Sequence, residues 1–185
     1  MGDTFVLRVQ LRGIEPAIWR RLSLPADAPL GVLHEVIQVA FGWQNSHLHE
    51  FLFGQIRFGP DDGESELLVV DEFAAPLGAV ARVGATFLYR YDFGDDWEHD
   101  VVVENVSADG EDGLACMGGA RSGPPEDCGG PPGYENLIAI LANPSHAEHR
   151  DMKTWVGRGF DPEKFDITAT NKKLAALWKR LSRGG

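Results

Sequence analysis

The part of the chain richest in groups that could do chemistry is residues 89–100, with the sequence YRYDFGDDWEHD. It contains five carboxylates and one histidine, the types of side chain that bind divalent metals or transfer protons near neutral pH. Asp92, Asp96 and His99 are the candidate ligands here. Aspartates are also common in turns, where they bond their own backbone, so a structural role for them stays open.

Two further segments carry groups of the same kind. His47 and His49 are two residues apart in a predicted strand, which would project both imidazoles to one side. The Pro/Gly-rich residues 116–137, predicted to form a long ordered loop that leads into a helix, carry Cys116 and Cys128. Glu126 and Asp127 directly precede Cys128. These neighbouring carboxylates should raise the pKa of its thiol, which disfavours a nucleophilic cysteine.

A divalent metal such as zinc is the cofactor that these segments suggest. Histidine and thiolate ligands favour zinc, whereas carboxylates alone would favour magnesium, calcium or manganese. No tight signature such as CxxC or HExxH is present, and the alternative is that the histidines bond backbone groups while the cysteines fill the core. The candidate metal ligands are His47, His49, Asp92, Asp96, His99, Glu126, Asp127 and Cys128.

The Pro/Gly-rich loop is expected to fold back over the central hairpin. It has few apolar residues with which to form a core of its own, its glycines permit close backbone approach, and its prolines reduce the entropy lost on ordering. This arrangement would bring Glu126, Asp127 or Cys128 near the carboxylates or the histidine of residues 89–100.

The elements that must position these groups follow from hydrophobic periodicity. Alternation of apolar and polar residues predicts an N-terminal hairpin from residues 4–11 and 17–24, and a central hairpin within residues 87–104. A helix begins near Pro29 and ends at Gly42, and residues 60–66 and 107–113 are predicted polar loops. The predicted fold is α+β, with a β-grasp-like mixed sheet, one packed helix and a helical C-terminal half in a single domain of residues 1–185.

Composition limits the possible partners. The chain has 185 residues and a net charge of −11, which opposes binding to nucleic acid by the isolated chain. The basic last helix could touch nucleic acid or an acidic partner, although an apolar stripe of this kind usually docks on its own domain. No apolar run reaches the length of a membrane span and no signal peptide is recognisable, so we expect a soluble, cytoplasmic protein without a membrane partner. The sequence does not identify a protein or small-molecule partner.

Four motifs in the same order make the chain similar to the plasmid pRiA4b Orf-three-like family. They are WRR with LHEVIQVAFGW and SHLHEF, then YRYDFGDDWEH, then PPEDCGGPPGYENL, and finally FDPEKFD with NKKL. The resemblance implies an α+β fold, and some members of the family are labelled TnpR-type resolvases, although the chain lacks a recognisable serine-recombinase pattern. The matching positions here are Trp19, Arg20, His34, Trp43, His47, His49, Asp92, Gly94, Asp95, Trp97, His99, Pro125, Glu126, Asp127, Cys128, Gly129 and Gly130.

Two classes of function are left by the sequence. The first is a non-catalytic interaction or accessory protein associated with mobile elements. The alternative is a metal-dependent enzyme, such as a hydrolase, that uses the hairpin carboxylates and the histidines. A bound transition metal in purified protein would favour the enzyme.

Overall fold

Eight strands form one sheet in the computed structural model, which describes residues 2–60, 68–107 and 113–183. Their order in the sheet is β5-β4-β3-β6-β7-β1-β2-β8. Strands β4 and β5 are parallel and the other neighbours are antiparallel, so the sheet is mixed. The strands are β1 (Thr4–Leu11), β2 (Trp19–Pro25), β3 (His49–Phe53), β4 (Ile56–Gly59), β5 (Val69–Asp71), β6 (Thr86–Tyr91), β7 (Trp97–Ser107) and β8 (Ala115–Ala120).

The two predicted hairpins lie side by side in this sheet, because β1 pairs with β7. Alternation along β1 buries Leu7 and Val9 completely, while Arg8 between them lies on the opposite face. The return strand of the central hairpin has the same pattern, with Val101 and Val103 in the core. One sheet containing both hairpins, as predicted from their periodicity, is therefore confirmed.

Helices cover the apolar face of the sheet. The longest ones in the described chain are α1 (Leu30–Phe41), α3 (Gly130–Ala142) and α5 (Ile167–Leu181), with the short α2 (Leu77–Val80) and α4 (His149–Trp155) between them. Gly42 ends α1 in the left-handed conformation at φ 87°, and the Asp166 side chain caps α5 by accepting a hydrogen bond from Ala169 N. The predicted α+β class with a helical C-terminal half is confirmed.

Strand β8 corrects one expectation from the sequence. Residues 116–137 were predicted as a loop followed by a helix, but their first residues belong to an edge strand that pairs with β2. Gly119 suits its place in this strand, because a Cβ there would clash with the side chains of Phe165 and Arg20. The segment that behaves as a loop is residues 121–129.

Among the residues that the structure describes, no helix is both long and apolar enough to cross a membrane. Most of the two polar loops predicted at residues 60–66 and 107–113 lies outside the described residues.

Candidate metal centre

The first side of the candidate site is the segment that joins α1 to β3. His47 lies in this segment just before the strand begins at His49. Ser46 N donates a hydrogen bond of 3.0 Å to the Tyr91 hydroxyl, and Asp92 N donates one of 2.9 Å to Leu48 O. These two bonds fix His47 beside the end of β6.

The second side is the turn of the central hairpin, which Asp92 begins. Its backbone is left-handed, with φ 56°, and its carboxylate Oδ1 accepts hydrogen bonds from Gly94 N at 3.0 Å and Asp95 N at 3.3 Å. Aspartate tolerates this conformation because its short side chain bonds the following backbone. Oδ2 is thereby left to point away from the turn, toward His47.

The third side is the loop that leads into α3. It is held against the hairpin by Gly129 N, which donates a 3.0 Å hydrogen bond to Asp95 Oδ2. The Glu126 Oε1 atom accepts hydrogen bonds from Gln44 N at 2.8 Å and from the Tyr91 hydroxyl at 3.0 Å. The predicted placement of this loop over the central hairpin is confirmed by these contacts.

The three sides converge on His47 Nε2. Asp127 Oδ1 lies 3.0 Å from this nitrogen, Asp92 Oδ2 lies 3.5 Å from it, and Glu126 Oε2 lies 3.9 Å from it. Donor atoms of His47, Asp92 and Asp127 all lie within 4.8 Å of one another. In a tetrahedral site with bonds of about 2.1 Å, neighbouring donors are about 3.4 Å apart, so these three atoms need only small movements to share one ion.

The Nε2 atom of His47 is buried and has no hydrogen-bond partner among the described residues, even though three carboxylates surround it. The Asp127 oxygen is at ion-pair distance from this nitrogen, and the Asp92 and Glu126 oxygens lie farther away. A ring nitrogen with carboxylate oxygens of two other segments gathered within 4.8 Å is a donor set of the kind found around a divalent cation. Asp127 is 72% exposed, so one side of this donor set opens to solvent.

His49 does not join this centre. The sequence placed both histidines on one face of a strand, but the strand starts only at His49, so the two rings diverge. His49 Nε2 lies 2.8 Å from Glu72 Oε2 in a buried pair, and its ring stacks on His34 at 3.4 Å between ring centroids. Its role in this structure is within the core.

His34 is neutral in this stack. Burial, and then the neighbouring His49, lower the pKa of His34 to about 3. Its Nε2 therefore donates to Asn45 Oδ1 and its Nδ1 accepts from the Tyr89 hydroxyl, both at 2.8 Å.

His99 and Asp96 also lie away from the centre. His99 is fully buried, its Nδ1 donates to Trp97 O at 3.0 Å, and burial lowers its pKa to about 3. Asp96 is exposed and lies 3.6 Å from the Arg90 guanidinium. His99 is a core residue in this structure and Asp96 is part of a surface ion pair.

Cys128 follows the loop carboxylates but contributes no sulfur to the group of donor atoms. Burial, and then the charge of Asp95, raise the pKa of its thiol to about 12, so it stays protonated near neutral pH. The three converging donors are one imidazole and two carboxylates. This set suits Mn²⁺, Fe²⁺ or Zn²⁺ better than the thiolate-rich zinc site that the cysteines suggested.

Sequence reasoning missed the groups that orient these side chains. Tyr91 was noted only for strand periodicity, yet its hydroxyl joins Ser46 N to Glu126. Glu72 lies in a short 3₁₀ turn, and no pattern in the sequence indicated that it would pair with His49. For Tyr91 the available signal was its position directly before a turn aspartate.

Comparison with known proteins found one matching family model and similar proteins of uncharacterised function. The family model described as plasmid pRiA4b ORF-3-like protein matches residues 3–169. An uncharacterized protein of Sinorhizobium fredii, y4hQ, is 39% identical over 184 residues, which cover 96% of this chain and 95% of that protein. The crystal structure of MM3350, a protein of unknown function from Methanosarcina mazei Go1, superposes with a TM-score of 0.81 at 33% identity, covering 89% of this chain and 96% of that one. The chain belongs to the plasmid pRiA4b ORF-3-like family.

Proposed function

We propose that the protein is a divalent-metal-dependent enzyme with a hydrolytic reaction, and that His47, Asp92 and Asp127 hold the metal. The observation that carries the proposal is the convergence of the His47 Nε2 atom with carboxylate oxygens of Asp92 and Asp127, from two separate loops, within 4.8 Å. Three protein ligands with an open fourth side are the usual arrangement of a catalytic rather than a structural site.

The residues around the centre would have different roles in such a reaction. A metal bound there would supply Lewis acidity and lower the pKa of a coordinated water. Glu126 Oε2 is 3.9 Å from His47 Nε2, while its other oxygen is fixed by Gln44 N and Tyr91. Glu126 is thus held where it can accept a proton from a water at the open side, the role of a general base.

The metal content of protein purified without an affinity tag is the first test. We expect about one transition metal per chain, and hydrolysis of model esters, amides or phosphoesters after reconstitution with Mn²⁺ or Zn²⁺. Asp92→Asn should abolish both metal retention and hydrolysis. Asp96→Asn is the matched control, because Asp96 lies on the same turn but pairs with Arg90. Metal-free protein that cannot be reconstituted would contradict the proposal.

A second candidate is a non-catalytic accessory protein associated with mobile elements. It is favoured by the description of the matching family, which names a plasmid reading frame. In that case the three side chains would only hold the loops in place. The Asp92→Asn variant would then be less stable, and neither it nor the parent protein would show hydrolysis. The two free thiols fit a reducing compartment, which supports our proposal of a cytoplasmic location for either function.

A further inference from the structure

A cavity of about 430 Å³ lies on the side of Glu126 that faces α5. Its wall includes Glu126 and Gln44, so it begins at the carboxylate that flanks the metal centre. The volume is in the range of small-molecule sites.

Arg20, in the wall of this cavity, is a buried cation without a countercharge among the described residues. It is 1% exposed, and its guanidinium donates hydrogen bonds of 2.7–2.9 Å to the carbonyl oxygens of Trp19, Ala40, Ala120 and Arg121. The rings of Phe165 and Phe41 lie on it, with centroids 3.9 Å and 4.9 Å from the guanidinium carbon. Carbonyl dipoles and ring faces offset only part of the cost of burying a full charge, and buried charges are ordinarily paired.

Two lysines add positive charge at the mouth of the cavity. Lys173 comes from the second turn of α5. Lys164 comes from the loop before it and also lies 3.6 Å from Asp161 in an exposed ion pair. The lining has three cationic side chains against two carboxylates, those of Glu126 and Asp166, and one of these, Asp166, accepts a hydrogen bond from the backbone as the helix cap. Because the exposed Lys164–Asp161 pair is weak, the lining stays net positive in a chain of charge −11, which favours an anion at this point of the surface.

We infer that this cavity binds the anionic group of the substrate, a small molecule carrying a carboxylate or phosphate together with an apolar or aromatic portion. The anion contacts Lys173 and Lys164, while the buried Arg20 attracts it only through its charge, and the apolar portion contacts the phenyl rings that line the cavity. In this position the scissile bond of the substrate lies beyond Glu126, at the metal centre. The inference rests on the proposed metal-dependent function for the reaction, but not for the binding of the anion.

Direct titration tests this with two probes, inorganic phosphate and benzoate, each followed by calorimetry and by amide chemical shifts. We expect saturable binding with shifts at Ser122, Gly123 and Thr170, which line the cavity. Lys173→Ala should weaken binding by about two- to fivefold, since an exposed charge contributes about 0.4–1 kcal/mol. Lys172→Ala is the matched control: it is exposed on the same helix, does not line the cavity, and should change affinity much less. The tighter probe identifies the anion as phosphate or as an aromatic carboxylate.

The inference is overturned if neither probe binds saturably, or if both lysine variants weaken binding equally, which would indicate only bulk electrostatics. Repeating the titrations with metal-free and metal-loaded protein separates the two claims. Anion binding in a protein that never takes up metal would refute the proposed reaction but leave the cavity assignment intact. Metal uptake and hydrolysis without anion binding in this cavity would refute the cavity assignment alone.

Discussion

Replacing Gly130 by alanine should push the loop that carries Asp127 away from the central hairpin. Gly130 has φ 66°, and a Cβ added there would lie 2.3 Å from the carbonyl oxygen of Asp95. Ordinary contacts of this kind begin near 3.4 Å, so the two backbones would have to separate by about 1 Å. The nearby bond from Gly129 N to Asp95 Oδ2 would be lost with that movement.

The expected cost has two parts. The left-handed conformation costs an alanine about 1 kcal/mol, and loss of a hydrogen bond to a carboxylate adds about 1.5–3 kcal/mol. We therefore expect Gly130→Ala to lower the free energy of unfolding by about 3 kcal/mol. Displacing Asp127 by about 1 Å should also weaken metal binding by about 10- to 100-fold, as changes in supporting contacts around metal sites do.

Gly54→Ala supplies the matched control, because Gly54 has φ 62° but no heavy atom within 4 Å of the added Cβ. This variant should lose only the conformational part, about 1 kcal/mol, and keep its metal affinity. Urea unfolding monitored by tryptophan fluorescence measures the first quantity and calorimetric titration with Mn²⁺ the second. Equal stability of the two variants, with equal metal affinity, would refute this account of how the loop is positioned.

Two other predictions concern the buried histidines. The pKa of His34 is about 3 in the folded chain against 6.5 unfolded, so its contribution to stability is complete above pH 6.5 and is lost as the pH falls toward 3. His34→Gln should reduce the slope of the free energy of unfolding against pH in that window by up to about 1.4 kcal/mol per pH unit. His146→Gln, at an exposed position, should leave the slope unchanged. Identical slopes for the two variants would be evidence against a neutral, buried His34. Glu72→Ala leaves His49 Nε2 without its 2.8 Å partner and should cost about 1–3 kcal/mol, more than Glu72→Gln, which keeps an oxygen acceptor. Melts in which the alanine variant matches the parent would show that the pair contributes nothing.

The parts of the fold that follow from local pattern were predictable. The alternation in β1 and in the central hairpin comes from one buried and one open face, and Gly42 ends α1 because glycine adopts φ 87° without strain. Strand β8 was not predictable from its own residues. It forms because the backbone of β2 offers an edge to pair with, a cause that lies elsewhere in the chain.

The candidate site was only half predictable for a related reason. Convergence of the Pro/Gly loop on the hairpin followed from its lack of apolar residues, whereas the choice among eight candidate ligands depended on exact backbone direction. The divergence of His47 from His49 is set by where β3 begins. For His99 a signal was present in the sequence: its neighbours two residues away on the strand, Trp97 and Val101, are both apolar, which indicates the core face. The single domain over residues 1–185 stays a prediction.

The convergence of His47, Asp92 and Asp127 changed which function is proposed. From sequence, an accessory protein was the first hypothesis and a metal-dependent enzyme the alternative. Three donor atoms within 4.8 Å, drawn from three separate loops, favour the metal-dependent alternative.

Anomalous diffraction from a crystal soaked in Mn²⁺ tests the central claim most directly. We predict one strong peak about 2.2 Å from His47 Nε2, Asp92 Oδ2 and Asp127 Oδ1. Crystals of Asp92→Asn should lose the peak and those of Asp96→Asn should keep it. If the parent protein shows no peak beside these three residues while the loops keep the positions described above, the proposed metal centre is wrong.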